Sequence, residues 1–225
     1  MDVYLVWLER LASALGCTFH WGVSLPSLQG VTQVVPHPSL VVNCCGLGAV
    51  SLVGDTAMTA VRGVLVLVRC PGVEGVYSDE SWTGPELTYI VPKGNGIVAC
   101  AGCAQPGATA SEVSPEEAAA VLRRCEALLP VLAGAPVLST WAGLRPVRDA
   151  VRLEAAQLGD GTPVVHNYGH GGSGVVVSWG CARVVAALAA PHAAGGLQRR
   201  DLRAVPQAEG LPPLGWESGV PLARL

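Results

Sequence analysis

The spacing of apolar positions divides the chain into segments of two periodicities. Residues 3–15 set Leu5, Leu8, Leu11, Ala12 and Leu15 near helical spacing, which predicts an amphipathic helix. Residues 31–35 and 40–44 are short apolar runs expected as strands, the second leading into Gly46-Leu47-Gly48. Residues 61–68 (VRGVLVLV) form a β-branched strand pattern, with a second, antiparallel candidate at 87–91. Lys93-Gly94-Asn95-Gly96 predicts a hairpin turn into a strand over 97–101. Ser114-Pro115-Glu116-Glu117 reads as a helix start, with Ser as N-cap, Pro at the first position and Glu completing a capping box. That helix is expected to run through Leu129 and stop at Pro130, with a further strand near 140–143. Beyond Ala190 the pattern dissolves into Gly, Pro and scattered charge, expected as a loose tail.

Composition narrows the class. The 225 residues are half apolar and 14% charged, which excludes a mostly disordered chain. A net charge of −3 gives no basic surface for nucleic acid or anionic lipid. Asp2, Glu9 and Arg10 interrupt the first residues, unlike a signal peptide. Apolar stretches are broken by Gly, Asn or Arg183, so no membrane span is expected. The eight cysteines read as reduced packing thiols. Cys100-Ala101-Gly102-Cys103 has CxxC spacing but neither a helix start nor a second ligand pair beside it. His166 and His170 sit on a glycine turn with no neighbouring carboxylate, and structural hydrogen bonding is expected of both.

The most informative segment lies late in the chain. Pro163-Val-Val-His-Asn-Tyr-Gly-His-Gly-Gly-Ser-Gly174 is a short strand feeding a glycine turn, which opens an apolar helix through Leu188. Backbone N–H groups at such a helix start face an anion or an electron-rich ring. Gly169-His-Gly171-Gly-Ser-Gly174 also fits GxGxxG, but no second strand with Asp or Glu follows about twenty residues on, so a Rossmann first turn is not expected.

Several segments taken in order are more specific: Asn43-Cys-Cys-Gly-Leu-Gly48, Val61-Arg-Gly63, Leu87-Thr-Tyr-Ile-Val-Pro92, Gly143-Leu-Arg-Pro-Val-Arg148 with Val151-Arg-Leu-Glu154, and His166-Asn-Tyr-Gly-His-Gly-Gly172 with Trp179-Gly180. This series resembles the D-amino-acid oxidase family, and within it the D-aspartate oxidases, over roughly residues 3–190. The resemblance implies an α/β (α+β) fold, with a mixed-sheet substrate domain and part of a FAD-binding domain. The expected divisions are 1–50 and 143–190 for the FAD-binding part, 51–142 for the substrate sheet and 191–225 for the tail. Family members begin with a Rossmann unit that has no counterpart here, so a truncated form is expected.

The resemblance also implies site residues. Arg145 matches the arginine that holds the substrate α-carboxylate, Tyr89 the tyrosine whose hydroxyl assists it, and Gly172 the backbone carbonyl that accepts from the amine. Gly171, Gly172, Gly174, Val175 and Val176 match the stretch lining the flavin of FAD, and Cys45 a further cofactor contact. Arg148 and Arg152 are expected to be structural. The implied partners are a D-amino acid, molecular oxygen and a second copy of the chain. The implied products are a 2-oxo acid, ammonia and hydrogen peroxide. The rival reading is a non-catalytic interaction protein that keeps the fold core without flavin.

Two departures bear on the substrate. The aspartate oxidases carry further arginines near the tyrosine strand, whereas Ser78-Asp-Glu-Ser-Trp-Thr-Gly84 and Ala99-Cys-Ala-Gly-Cys103 contain none. A second substrate carboxylate would therefore meet Asp79 or Glu80 if that loop lies over the site. Asp149 also replaces the proline expected after Arg148, which is expected to alter that turn. Finally, Ala223-Arg224-Leu225 resembles an SKL-type address, which implies a peroxisomal import receptor as partner and a peroxisomal rather than cytoplasmic location.

Overall fold

The β-branched run at the centre of the chain becomes the central strand of one mixed sheet. A computed structural model describes residues 2–79, 81 and 86–192. Its strands are β1 (Val41–Asn43), β2 (Thr59–Arg69), β3 (Tyr77–Asp79), β4 (Thr88–Gly94), β5 (Ile97–Ala101), β6 (Gln105–Pro106), β7 (Val137–Gln157) and β8 (Pro163–His170). They lie in the order β1-β8-β7-β2-β5-β4-β3, with β6 paired to β2. β1 and β8 run parallel, while the other pairs are antiparallel. The α-helices among the described residues are α1 (Asp2–Ala14), α2 (Ala49–Val53), α3 (Pro115–Leu128) and α4 (Gly174–Ala189).

Alternation along the strands sorts the sheet into two faces. Val64, Val66 and Val68 of β2, Ile90 of β4 and Val98 and Cys100 of β5 point to one face, where Val121 and Cys125 of α3 and Leu132 cover them. The complete capping box starts α3: Ser114 Oγ accepts from the Glu117 N–H, and Glu117 accepts from the Ser114 N–H. Glu117 also pairs with buried Arg62 at 2.6 Å. The Arg62 guanidinium further donates to the Gln105 side chain and to the carbonyls of Ala110 and Glu112, tying loop 102–114 to the sheet.

The opposite face carries the alternate set and no helix spans it among the described residues. Gly63, Leu65 and Leu67 of β2 lie there with Ala99 and Ala101 of β5, Tyr89 and Val91 of β4, and Trp141, Gly143 and Arg145 of β7. Two smaller clusters pack around the parallel pair: Leu28, Val41, Leu158 and Val164, and then Ala49, Met58 and Tyr168.

Two expectations are corrected, as is the ground given for a third. Residues 31–35 are not a strand; Leu28–Gln33 form a 3₁₀ helix whose Leu28, with Val31 beside it, packs against Val41, Leu158 and Val164. The strand expected at 140–143 is one part of 21-residue β7, whose second half is masked in sequence by Arg145, Pro146, Arg148, Asp149 and Arg152. Gly171–His192 form a continuous 22-residue helical run, long and apolar enough by length and composition to cross a membrane; neither Gly180 nor the single Arg183 breaks it. The expected boundary at 142/143 falls inside β7. Residues 193–225, with most of the expected tail and its terminal tripeptide, lie outside the described residues, as does Glu80.

Candidate active site

Parallel pairing sets the first part of the site. β1 and β8 run side by side with Asn43 opposite His166, so their carboxyl ends open at the same edge of the sheet. There Cys45 and Gly46 follow β1, and the turn Gly171–Ser173 follows β8. Ligands of open α/β sheets bind at such carboxyl ends. Asn43 fixes the first turn: its Oδ1 accepts from the Cys45 N–H at 3.2 Å, and its Nδ2 lies 3.1 Å from His166 Nδ1. Nδ2 can only donate, so His166 Nδ1 accepts and the ring carries its proton on Nε2. Burial and nearby Arg152 hold the His166 pKa below its ordinary value, in keeping with a neutral ring. Burial pushes the Cys45 thiol up.

The glycine turn is tightly placed. Gly171 has φ +57°, a left-handed conformation that glycine adopts without strain. The first N–H groups of α4 receive no side-chain cap from Ser173, and Val175 and Val176 stand exposed above them, Val176 at 87%. The result is an apolar surface beside a helix start that no side chain caps, with the positive end of the helix dipole behind it.

Arg145 reaches this turn from β7. Its Cδ and Nε lie 3.6 and 3.7 Å from where a Cβ on Gly172 would stand. Pro146 lies beside the other turn, 3.6 Å from the corresponding point on Gly46. The head of Arg145 then folds over the backbone of Gly63 on β2, where any side chain would collide with the guanidinium. Nη1 donates to the Cys103 carbonyl at 3.1 Å. Held at one corner, the guanidinium keeps further donors directed over the open face.

Tyr89 lies farther away but on the same face. Cross-strand register aligns Tyr89, Ala101, Leu65 and Trp141 in one row across β4, β5, β2 and β7. Two strand spacings and two residues separate Tyr89 from Gly63, roughly 12 Å between Cα atoms, a gap that a tyrosine side chain and a bound carboxylate would fill. Asp79 is paired with Thr88 and so belongs to the face opposite Tyr89; its carboxylate accepts from Ser81.

Behind the site, a buried polar knot locks β7 to β8. Asp55 accepts from the Tyr168 hydroxyl at 2.8 Å and Arg148 Nε at 3.2 Å, with Arg152 Nη1 at 3.6 Å. Burial alone would raise the Asp55 pKa, but Tyr168, the Ala57 N–H and the two guanidinium groups bring it below the ordinary value. Arg148 and Arg152 are thereby structural, as expected. The CxxC thiols are buried and unpaired: Cys103 Sγ accepts from the Val64 N–H, and Cys100 lies in the cluster beneath α3. His170 lies 3.4 Å from Cys181 Sγ.

Sequence reasoning gave no site role to Asp55, Gly63 or Trp141, although Val61-Arg-Gly63 stood among the family segments. A glycine inside a β-branched strand was the available signal for Gly63, since it marks close approach of another group.

Comparison with known proteins places this arrangement. The family model DAO, FAD dependent oxidoreductase, matches residues 1–188. The chain belongs to that family. It is 46% identical over 191 residues to a D-amino-acid oxidase of Streptomyces coelicolor, covering 84% of this chain and 57% of that protein. It is 38% identical over 188 residues to the D-aspartate oxidase of Homo sapiens, covering 82% and 52%. The chain thus spans little more than half the length of these curated relatives. Among solved structures, glycine oxidase from Bacillus cereus aligns with a TM-score of 0.51 at 27% identity, over 61% of this chain and 38% of that one. Glycine oxidase from Geobacillus kaustophilus aligns with a TM-score of 0.58 at 24% identity, over 72% and 44%, a likeness of fold.

FAD is the family's cofactor, and the residues present fit its ring end. The uncapped start of α4, the exposed Val175 and Val176, the left-handed Gly171 and the neutral Cys45 thiol together offer apolar contact and backbone donors to a flat ring. The family match also accounts for the membrane-length run through α4, nearly all of which it includes.

Proposed function

We propose that this chain forms the substrate and flavin-ring part of an oxidase that converts a D-amino acid, oxygen and water into a 2-oxo acid, ammonia and hydrogen peroxide. The observation that carries this reading is the meeting of Arg145 with the Gly172 turn at the carboxyl edge of β8. When bound, FAD supplies the acceptor for two electrons and passes them to oxygen as peroxide. The chain's own residues supply position. Arg145 offers its remaining donors to the α-carboxylate, a planar match that fixes orientation as well as charge. The Tyr89 hydroxyl donates to the same carboxylate. The Gly172 carbonyl accepts from the amine, which turns the Cα–H bond toward the apolar surface above α4. The uncapped N–H groups of α4 stabilise negative charge arising on that side.

Arg145→Leu tests this reading. In protein supplied with FAD, the substitution should reduce peroxide release from D-amino acids by at least about a thousandfold, because both charge and orientation are lost. Unchanged kinetics would remove Arg145 from the site.

The reading extends to place and assembly. Ala223-Arg224-Leu225 supports import into peroxisomes, where released peroxide would be contained. A fluorescent fusion ending in this tripeptide, compared with one lacking it, tests the address. The exposed apolar faces of α1 and α4 support a homodimer.

A further inference from the structure

The pairing of β2 is interrupted where the head of Arg145 crosses it. Leu65 stands opposite Ala101 of β5 and Arg62 opposite Gln105 of β6, so Gly63 and Val64 face three residues, Gly102, Cys103 and Ala104. The extra residue makes a bulge, which takes the backbone there out of the ladder. The Val64 N–H is met by Cys103 Sγ at 3.1 Å instead. Two guanidinium groups take consecutive carbonyls of the bulge. Arg145 Nη1 donates to Cys103 from the open face, and Arg124 Nη2 donates to Gly102 from α3, on the covered face. Gly102 also touches the strand that carries Tyr89. It has φ +149°, and a Cβ on it would stand 1.6 Å from the Leu87 carbonyl oxygen. Tyr89 itself pairs with Ala101, the residue before Gly102. The bulge therefore seats both side chains assigned to the α-carboxylate.

We propose that Arg124 is a positioning residue for the carboxylate clamp: from behind the sheet it fixes the bulge on which Arg145 is anchored and against which the Tyr89 strand begins. The proposal rests on the oxidase reading above and adds to it a residue that never meets the substrate. Charge does not place Arg124. Its carboxylate neighbour among the described residues, Glu86, lies 3.9 Å away and is 63% exposed, a geometry worth little in water. Arg124 Nε is buried with no hydrogen-bond partner among the described residues. A guanidinium gives up the hydration of one N–H only where another donor is firmly held. That donor is Nη2, whose charge-assisted bond to the Gly102 carbonyl is stronger than a neutral one. Gly102 and Cys103 share a planar peptide, so a turn of the Gly102 carbonyl carries the Cys103 backbone with it. Without Arg124 the bulge has a glycine at its head and no ladder to restrain it, and Arg145 loses its fixed point.

Arg124→Met, which keeps a long apolar stem and removes the donors, tests this in the full chain supplied with FAD. Peroxide release should show KM for D-alanine raised about tenfold, with kcat changed less than about twofold. The inhibition constant of propanoate, which offers the carboxylate without the amine, should rise by the same factor. Arg124→Lys restores one cationic donor and should recover part of both losses; it carries the comparison alone if Arg124→Met does not fold. A second readout needs no turnover. The Arg145 guanidinium signals in arginine-labelled protein, identified by their loss in Arg145→Leu, should shift in Arg124→Met while those of Arg152, in the Asp55 knot, stay in place. Arg145 signals that hold still, or that move only together with those of Arg152, overturn the positioning role. So does an unchanged KM for D-alanine in a variant that still releases peroxide. Shifted Arg145 signals in a chain that oxidises no D-amino acid uphold the hold of Arg124 on Arg145 and overturn the oxidase reading.

Discussion

At the scale of single residues, the site depends on atoms that are not there. Gly63 contributes nothing chemically, yet its missing side chain is the space in which the Arg145 head lies. Gly63→Ala should push the guanidinium off its carbonyl anchor on Cys103 and raise KM for D-amino acids on the order of 100-fold, since misplacement by about an ångström costs that much. Steady-state kinetics alongside a thermal melt make the check; raised KM with a nearly unchanged melting temperature is expected, and unaltered KM would discard the Gly63 role. The family was legible in the segment that carries Arg145, because GLRPVR is specific in kind and spacing. Trp141 was not, because its relation to Arg145 arises only when β2 and β7 pair and put two distant glycines opposite each other. Asp55 was equally silent: an acid among Gly, Thr and Ala looks solvated until Tyr168, Arg148 and Arg152 close around it.

At the scale of elements, capping and turn chemistry were readable and strand extent was not. The Ser114 box and the Asn95-Gly96 hairpin are local devices, complete within four residues, and both formed where expected. The extent of β7 depends on its pairing with both β2 and β8, and the 3₁₀ helix at Leu28–Gln33 on packing against β1 and β8, neither of which a local pattern records. The Asp149 position falls where pairing with β8 slips between Val147 and Arg152. Helix α3 provides the sharpest stability test. The hydrogen bond from Arg62 holds the Glu117 pKa down to about 2. Its folded-state value is thus depressed, so the stabilisation is full above the ordinary carboxylate range near 4.3 and is lost as pH falls toward about 2. Glu117→Gln should cost about 2–3 kcal/mol at neutral pH, below the range for a fully enclosed pair because Glu117 still meets solvent. Denaturant unfolding at pH 6, 4 and 3 should show the wild-type advantage shrinking through that window; an advantage constant to pH 3 would contradict the ion-pair account.

At the scale of the whole molecule, the sheet is finished on one face and open on the other. α3 seals the first, while α1 and α4 present Val3, Leu5, Val6, Trp179 and Val184 to solvent, joined by the Trp179 indole donating to the Tyr4 hydroxyl at 2.9 Å. Apolar area on this scale marks an interaction surface. The purified chain should bind an apolar reporter dye and sediment faster than a monomer, and Leu5→Ser with Val184→Ser should reduce both by at least about half. Sedimentation as a monomer with no dye uptake would remove the support for a homodimer.

β7 acts as a ruler between two chemistries. Trp141, Gly143 and Arg145 face the open side of the sheet, and the same strand then delivers Arg148 and Arg152 to the Asp55 knot. The offset between substrate and ring surfaces is therefore counted in residues rather than left to a hinge. One residue inserted between Trp141 and Arg145 would send the two side chains to opposite faces, because side chains alternate with a period of two. A residue inserted at 148–151, where pairing with β8 already slips, would be absorbed in the bulge. The span proposed to hold the substrate is thus expected to tolerate substitution more readily than a change of length, and a library meant to alter specificity should vary side chains there while keeping the count.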